Sequence, residues 1–83
     1  MEESFVLTID HNGKQLNLET LFMPVGYTHK FKVMVEGLEI FFEPDEEGYY
    51  RAVLPPGIDE KTRRGIDTEL LQSIATTIKS ELS

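Results

Sequence analysis

KFKVMVEGLEIFFE, residues 30–43, decides how this chain folds. Apolar side chains stand at Phe31, Val33 and Val35, then at Leu38, Ile40 and Phe42, symmetrically about Glu36-Gly37. Residues flanking a two-residue hairpin loop are cross-strand partners on one face. The spacing therefore predicts the pairs Val35–Leu38, Val33–Ile40 and Phe31–Phe42. A slip of one residue would turn the whole set into solvent, so the hydrophobic pattern specifies the register. Glu-Gly is a weaker turn than Asn-Gly because its first residue does not favour positive φ, and the symmetry of the flanks carries the reading.

Toward the N-terminus, Phe5, Leu7 and Ile9 alternate with Val6, Thr8 and Asp10, and Leu16 and Leu18 with Asn17 and Glu19, on either side of Asn12-Gly13. This predicts a second hairpin pairing Ile9 with Leu16 and Leu7 with Leu18, with Thr8–Asn17 and Val6–Glu19 on the other face. Residues 21–29, Leu21-Phe22-Met23-Pro24-Val25-Gly26-Tyr27-Thr28-His29, lose strand alternation and read as a wide connection with apolar anchors. On the C-terminal side, a five-residue turn over residues 44–48 would set Tyr50, Ala52 and Leu54 opposite Phe42, Ile40 and Leu38. Pro55-Pro56-Gly57 stops that strand, since proline has no ladder donor.

One helical turn is expected from Asp59 to Gly65, and a longer helix over residues 68–82. Asp67 is placed as its N-cap, Glu69 suits the positive end of the dipole, and Ile66 with Leu71 has the spacing of a hydrophobic staple. Leu70, Leu71, Ile74, Ala75, Ile78 and Leu82 form a single stripe, hence one packing surface. Strands at approximately 4–10, 14–20, 29–35, 38–43 and 49–54 plus this helix predict a single two-layer α+β domain, β-β-β-β-β-α. The five-stranded antiparallel sheet packs one face on the helix; a half-barrel curled around the helix is the alternative, because the pattern leaves the strand order between the hairpins open.

Composition narrows the function classes. A chain of 83 residues buries only about 60% of its unfolded surface, which leaves room for one core and little for a deep cleft. No cysteine is present, so there is no disulfide framework, thiol nucleophile or thiolate metal site, and a reducing compartment is suitable. MEESFVLTID has neither a basic start nor a continuous apolar run, which speaks against a leader peptide and for a cytoplasmic location. Fifteen acids against eight bases give a net charge of −7, which disfavours nucleic acid and anionic membranes as partners.

The same registers assign an outer sheet face. There Phe41 is expected between Lys32 and Arg51, Met34 opposite Glu39, with Lys30, Glu43 and Tyr49 at the end of the face. A ring flanked by two cations can stack an aromatic ligand or receive a partner's side chain, so Phe41, Lys32, Arg51, Met34 and Tyr49 form the leading candidate site. The structural alternative is packing of these residues against the 21–29 connection, with the cationic stems covering the ring.

Glu43, Asp45, Glu46 and Glu47 form an acidic cluster without the alternating spacing of a calcium loop, so a solvated turn is the plain reading. Lys61, Arg63 and Arg64 are surrounded by Asp59, Glu60 and Asp67, which favours local salt bridges over an anion site. His11 and His29 occupy unrelated positions and do not compose a zinc site. Ser4, Ser73, Ser80 and Ser83 sit in no nucleophile motif, and neither a catalytic set nor a cofactor or metal is expected.

No motif in the chain identifies a family, and architecture alone implies no activity. The leading functional expectation is a small non-catalytic module that binds another protein, or itself, through the outer face or an exposed edge strand. An acidic partner of a basic protein, acting through residues 43–47, is the second. A ligand carrier or enzyme with a pocket near Tyr27 and His29 is the third, and the small size of the domain counts against it.

Overall fold

The computed structural model describes residues 3–82, so the readings made at Met1, Glu2 and Ser83 lie outside it. Five antiparallel strands run β1 Glu3–His11, β2 Lys14–Val25, β3 Thr28–Val35, β4 Leu38–Pro44 and β5 Tyr50–Val53, followed by α1 Glu60–Arg64 and α2 Thr68–Leu82. The strands pair in sequence order, β1-β2-β3-β4-β5, as an open meander. This is the α+β architecture expected, a five-stranded antiparallel sheet with one long C-terminal helix.

Both predicted hairpins form in the expected register. Ile9 pairs with Leu16 and Leu7 with Leu18, while Val35, Val33 and Phe31 pair with Leu38, Ile40 and Phe42. Each turn places two residues at positive φ, Asn12 (50°) with Gly13 (74°) and Glu36 (51°) with Gly37 (82°). Two successive positive φ values are the signature of the type I′ turn, whose twist matches that of the strands it joins.

The connection expected over residues 21–29 is a third hairpin instead. β2 continues to Val25, pairing Phe22 with Phe31, Pro24 with His29 and Val25 with Thr28 around the two-residue loop Gly26-Tyr27. Gly26 has φ 59°, the Gly-X pattern of a tight hairpin turn. Alternation is invisible over LFMPV because apolar side chains occupy both faces there. Val25 and Thr28 flank the loop as a hydrogen-bonded pair, so Pro24 falls at a non-hydrogen-bonded position toward β3. Its missing N–H points to the β1 side, beyond the last β1–β2 pair, Glu3 with Phe22. Among the described residues, proline therefore removes no ladder bond.

The last register also differs from expectation, by two residues. Phe42 pairs with Ala52 and Pro44 with Tyr50, where the sequence pattern had set Phe42 opposite Tyr50. A two-residue slip keeps every side chain on its face, so hydrophobic alternation cannot distinguish the two registers. Turn chemistry selects between them. The Asp45 carboxylate accepts hydrogen bonds from the Glu47 and Tyr49 amides at 2.9 and 3.0 Å. Gly48 donates to the Asp45 carbonyl at 3.1 Å and takes φ 88°. The turn thus begins at Asp45, one residue later than predicted.

The two helices begin and end where their caps direct. Asp59 accepts from the Thr62 amide at 2.7 Å to start α1, which closes at Gly65. Asp67 accepts from the Glu69 and Leu70 amides at 3.0 and 3.3 Å to start α2. Leu70, Ile74 and Ile78 are buried against Leu7, Ile9, Phe31, Val33, Val35, Ile40, Phe42 and Tyr50 in one core. Thr20 is the one buried polar residue among those described, and its hydroxyl donates to the Leu18 carbonyl at 3.2 Å.

α2 runs alongside β1 in the opposite sense. Its cap Asp67 meets His11 at the end of β1, and Leu82 shares a cleft with Glu3 and Phe5 at its beginning. The helix also contacts β5. Flat strands spaced about 4.8 Å apart would hold the two edges about 19 Å from one another, too far for one aligned helix to touch both. The sheet consequently curves toward α2, while β1 and β5 do not pair with one another and the sheet stays open.

Candidate functional site

Pleating sends Leu21, Met23, Lys30, Lys32, Met34, Glu39, Phe41 and Val53 away from α2, onto the convex face of the sheet. Their registers align Ser4, Leu21, Lys32, Phe41 and Val53 in one row that crosses all five strands. Leu21, Met23, Met34, Phe41 and Val53 are half-buried by their neighbours on the face, and no second layer of described residues covers them. The structural alternative raised by the sequence, packing under a 21–29 connection, is removed because those residues are strands of the same sheet.

The charges on this face are held locally. Lys30 Nζ lies 4.7 Å from the centre of the Phe41 ring, within the reach of a cation–π contact. Lys32 Nζ pairs with Glu39 at 3.1 Å. Ser4, Glu19, Leu21, Lys32, Met34 and Glu39 line a shallow depression of about 290 Å³ beside Phe41. The arrangement is an apolar strip whose cations lie along it on their aliphatic stems, with a salt bridge at its margin.

Three of the expected site residues are brought together and two are not. Phe41, Lys32 and Met34 share the convex face, with Lys32 opposite Phe41 and Met34 opposite Glu39 as predicted. Arg51 stands opposite Glu43, and Val53 takes the expected place of Arg51 beside Phe41. This correction follows from the two-residue change in the β4–β5 register. Tyr49 belongs to the turn before β5, and its ring lies 3.3 Å from Lys79 Nζ of α2. It therefore turns toward the helix and leaves the end of the outer face.

The acidic cluster is divided by the same turn. Glu43 is half-buried opposite Arg51, and Asp45 is spent on capping the turn. Asp45, Glu46 and Glu47 stand exposed at the tip, beside an open depression of about 670 Å³ also lined by Pro44 and Arg51. In the basic cluster, Arg64 pairs with Glu60 at 3.1 Å, a local salt bridge of the expected kind.

At one end of the concave face is an aromatic group that sequence reasoning did not assemble. His29 packs between Phe22 at 5.5 Å, Phe31 at 5.5 Å and Tyr50 at 5.8 Å, measured between ring centres. His29 Nε2 is hydrogen-bonded to the Tyr50 hydroxyl, and burial pushes the Tyr50 phenol above its ordinary range. Phe5 adds an edge-to-face contact with Phe31 at 6.3 Å. The alternation that puts Phe22 in line with Leu16 and Leu18, and His29 in line with Phe31 and Val33, was the available signal, hidden by reading 21–29 as a connection. The pair is structural in kind: a buried hydroxyl finds its partner in a neighbouring imidazole.

Among the described residues no group of three or more His, Asp or Glu side chains is placed to hold a metal ion. No described helix is long and apolar enough to cross a membrane. No family model, curated protein or solved structure matches the chain.

Proposed function

We propose that this chain is a small non-catalytic interaction module whose convex sheet face receives apolar side chains of a partner polypeptide, with Phe41 at the centre. One observation carries the reading: Leu21, Met23, Met34, Phe41 and Val53 share this face, half-buried, with Lys30 and Lys32 among them and no covering layer among the described residues. Apolar side chains grouped on an uncovered face mark an interaction site more often than isolated apolar residues do. Aromatic side chains with flanking cations are also the usual anchors of interfaces.

The charge pattern favours protein over nucleic acid. Lys32 is paired with Glu39 and Arg51 stands opposite Glu43, so the face offers no basic footprint for phosphates, and the chain carries a net charge of −7. The division of the acidic cluster makes contact with a basic partner through residues 43–47 the weaker alternative. A cysteine-free chain is suited to the reducing cytoplasm, where we place this activity.

The test is partner binding by the native chain and by Phe41→Ala and Met34→Ala, measured by calorimetry with the purified partner after affinity capture. Loss of a buried aromatic anchor should weaken binding about tenfold or more while the thermal transition stays close to that of the native chain. Unchanged affinity in both variants would remove the convex face from the interface.

A further inference from the structure

The two edges of the sheet are unlike. β5 is four residues long, carries Arg51, and is bracketed by Gly48 and by Pro55-Pro56, all devices that discourage strand addition. β1 is a nine-residue edge, ESFVLTIDH, with no proline, glycine, lysine or arginine, and it pairs with β2 without a bulge from His11–Lys14 to Glu3–Phe22. Its backbone polarity follows from the turn. Because Asn12-Gly13 is a two-residue loop, His11 and Lys14 are a hydrogen-bonded pair, and such pairs alternate along the ladder. Glu3, Phe5, Leu7, Ile9 and His11 therefore direct N–H and C=O toward β2. Ser4, Val6, Thr8 and Asp10 direct theirs to the open edge.

These four residues are all exposed, Val6 at 60%. None of the backbone hydrogen bonds made outside helices and strands among the described residues reaches β1. Unpaired backbone groups in a row are a template for another strand, and the side chains of β1 say which strand fits.

We propose that β1 pairs with β1 of a second copy of this chain, antiparallel, with Leu7 of each copy on the two-fold axis. In this register Val6 faces Thr8, Phe5 faces Ile9, Ser4 faces Asp10 and Glu3 faces His11 of the other copy. Apolar residues meet apolar ones on the concave side, and no like charges stand opposite one another along the strands, Glu3 coming opposite His11, whose ring is held by Asp67 of its own copy. The edge-facing residues pair only with edge-facing residues, so Ser4, Val6, Thr8 and Asp10 of both copies exchange about eight ladder bonds. The result is a continuous ten-stranded sheet whose two convex strips lie on the same side. A single strand pair buries a small area, so association in the micromolar to millimolar range is expected. With −7 on each copy it should tighten as salt is added.

The experiment is solution mass by light scattering from about 10 µM to 1 mM, together with site-resolved amide exchange over the same range. The native chain should pass from monomer to dimer, and the amides of Ser4, Val6, Thr8 and Asp10 should gain protection with concentration. Those of Phe5, Leu7 and Ile9 should be protected throughout. Val6→Pro deletes an edge-facing donor without touching the β1–β2 ladder, and it should weaken self-association about tenfold or more. Phe41→Ala should dimerise as the native chain does, which separates this edge from the convex face. A native chain that stays monomeric overturns the pairing. So does a dimer whose edge amides exchange at the monomer rate, or one that Val6→Pro leaves intact.

Discussion

Glu36→Asn should make this protein more stable, and the size of the gain follows from one backbone angle. Glu36 is the first loop residue of the β3–β4 hairpin and holds φ 51°. Its side chain is exposed and makes no hydrogen bond or ion pair among those described, so its contribution is almost purely conformational. An L-residue with an ordinary Cβ pays about 1–2 kcal/mol to sit in the left-handed region, and asparagine pays less. The exchange should recover about 1 kcal/mol, which in a domain of this size raises Tm by about 4–8 °C. The first hairpin supplies the control, since Asn12 holds φ 50° at the equivalent position. Asn12→Glu should lose about as much as Glu36→Asn gains. Thermal and urea unfolding followed by circular dichroism would measure both, with an unchanged m-value showing that stability alone has moved. A neutral or destabilising Glu36→Asn would refute the assignment of a strained type I′ turn at Glu36-Gly37.

Two further outcomes test the core and the helix cap. Ile74 is fully buried between α2 and the sheet, so Ile74→Ala should cost about 2–5 kcal/mol, a large part of the stability available to a domain of this size, read from the urea midpoint. The Asp67 carboxyl is held below its ordinary range, first by the hydrogen bond from His11 and then by the amide of Leu70. A depressed folded value means that stabilisation is complete above the unfolded carboxylate range and is lost as pH falls through the folded value. Asp67→Asn keeps an N-cap and removes the charge. Urea midpoints measured from neutral pH downward should show the native advantage over this variant shrinking in acid below about pH 4. An advantage independent of pH would assign the effect to packing.

The sequence by itself determined the features whose local signals agree with one another. The two hairpins with Asn-Gly and Glu-Gly loops, the single stripe of α2, and the caps Asp59 and Asp67 all rest on patterns within about ten residues. Three features became legible only in the folded structure. The hairpin at Gly26-Tyr27 was obscured because Pro24 reads as a breaker, and it is harmless to the β2–β3 ladder because its ring nitrogen faces away from β3. The β4–β5 register was undecidable from alternation because a slip of two residues preserves both faces, and the hydrogen bonds of Asp45 made the choice. That choice moved Arg51 away from Phe41 and put Val53 in its place. The curl of the sheet came last, since one helix stripe wide enough to bury Leu70, Ile74 and Ile78 closes its core only when both edge strands bend toward it. Residue patterns set which face each side chain takes, whereas its neighbours across strands are set by turn geometry and by the shape of the surface the whole chain must cover.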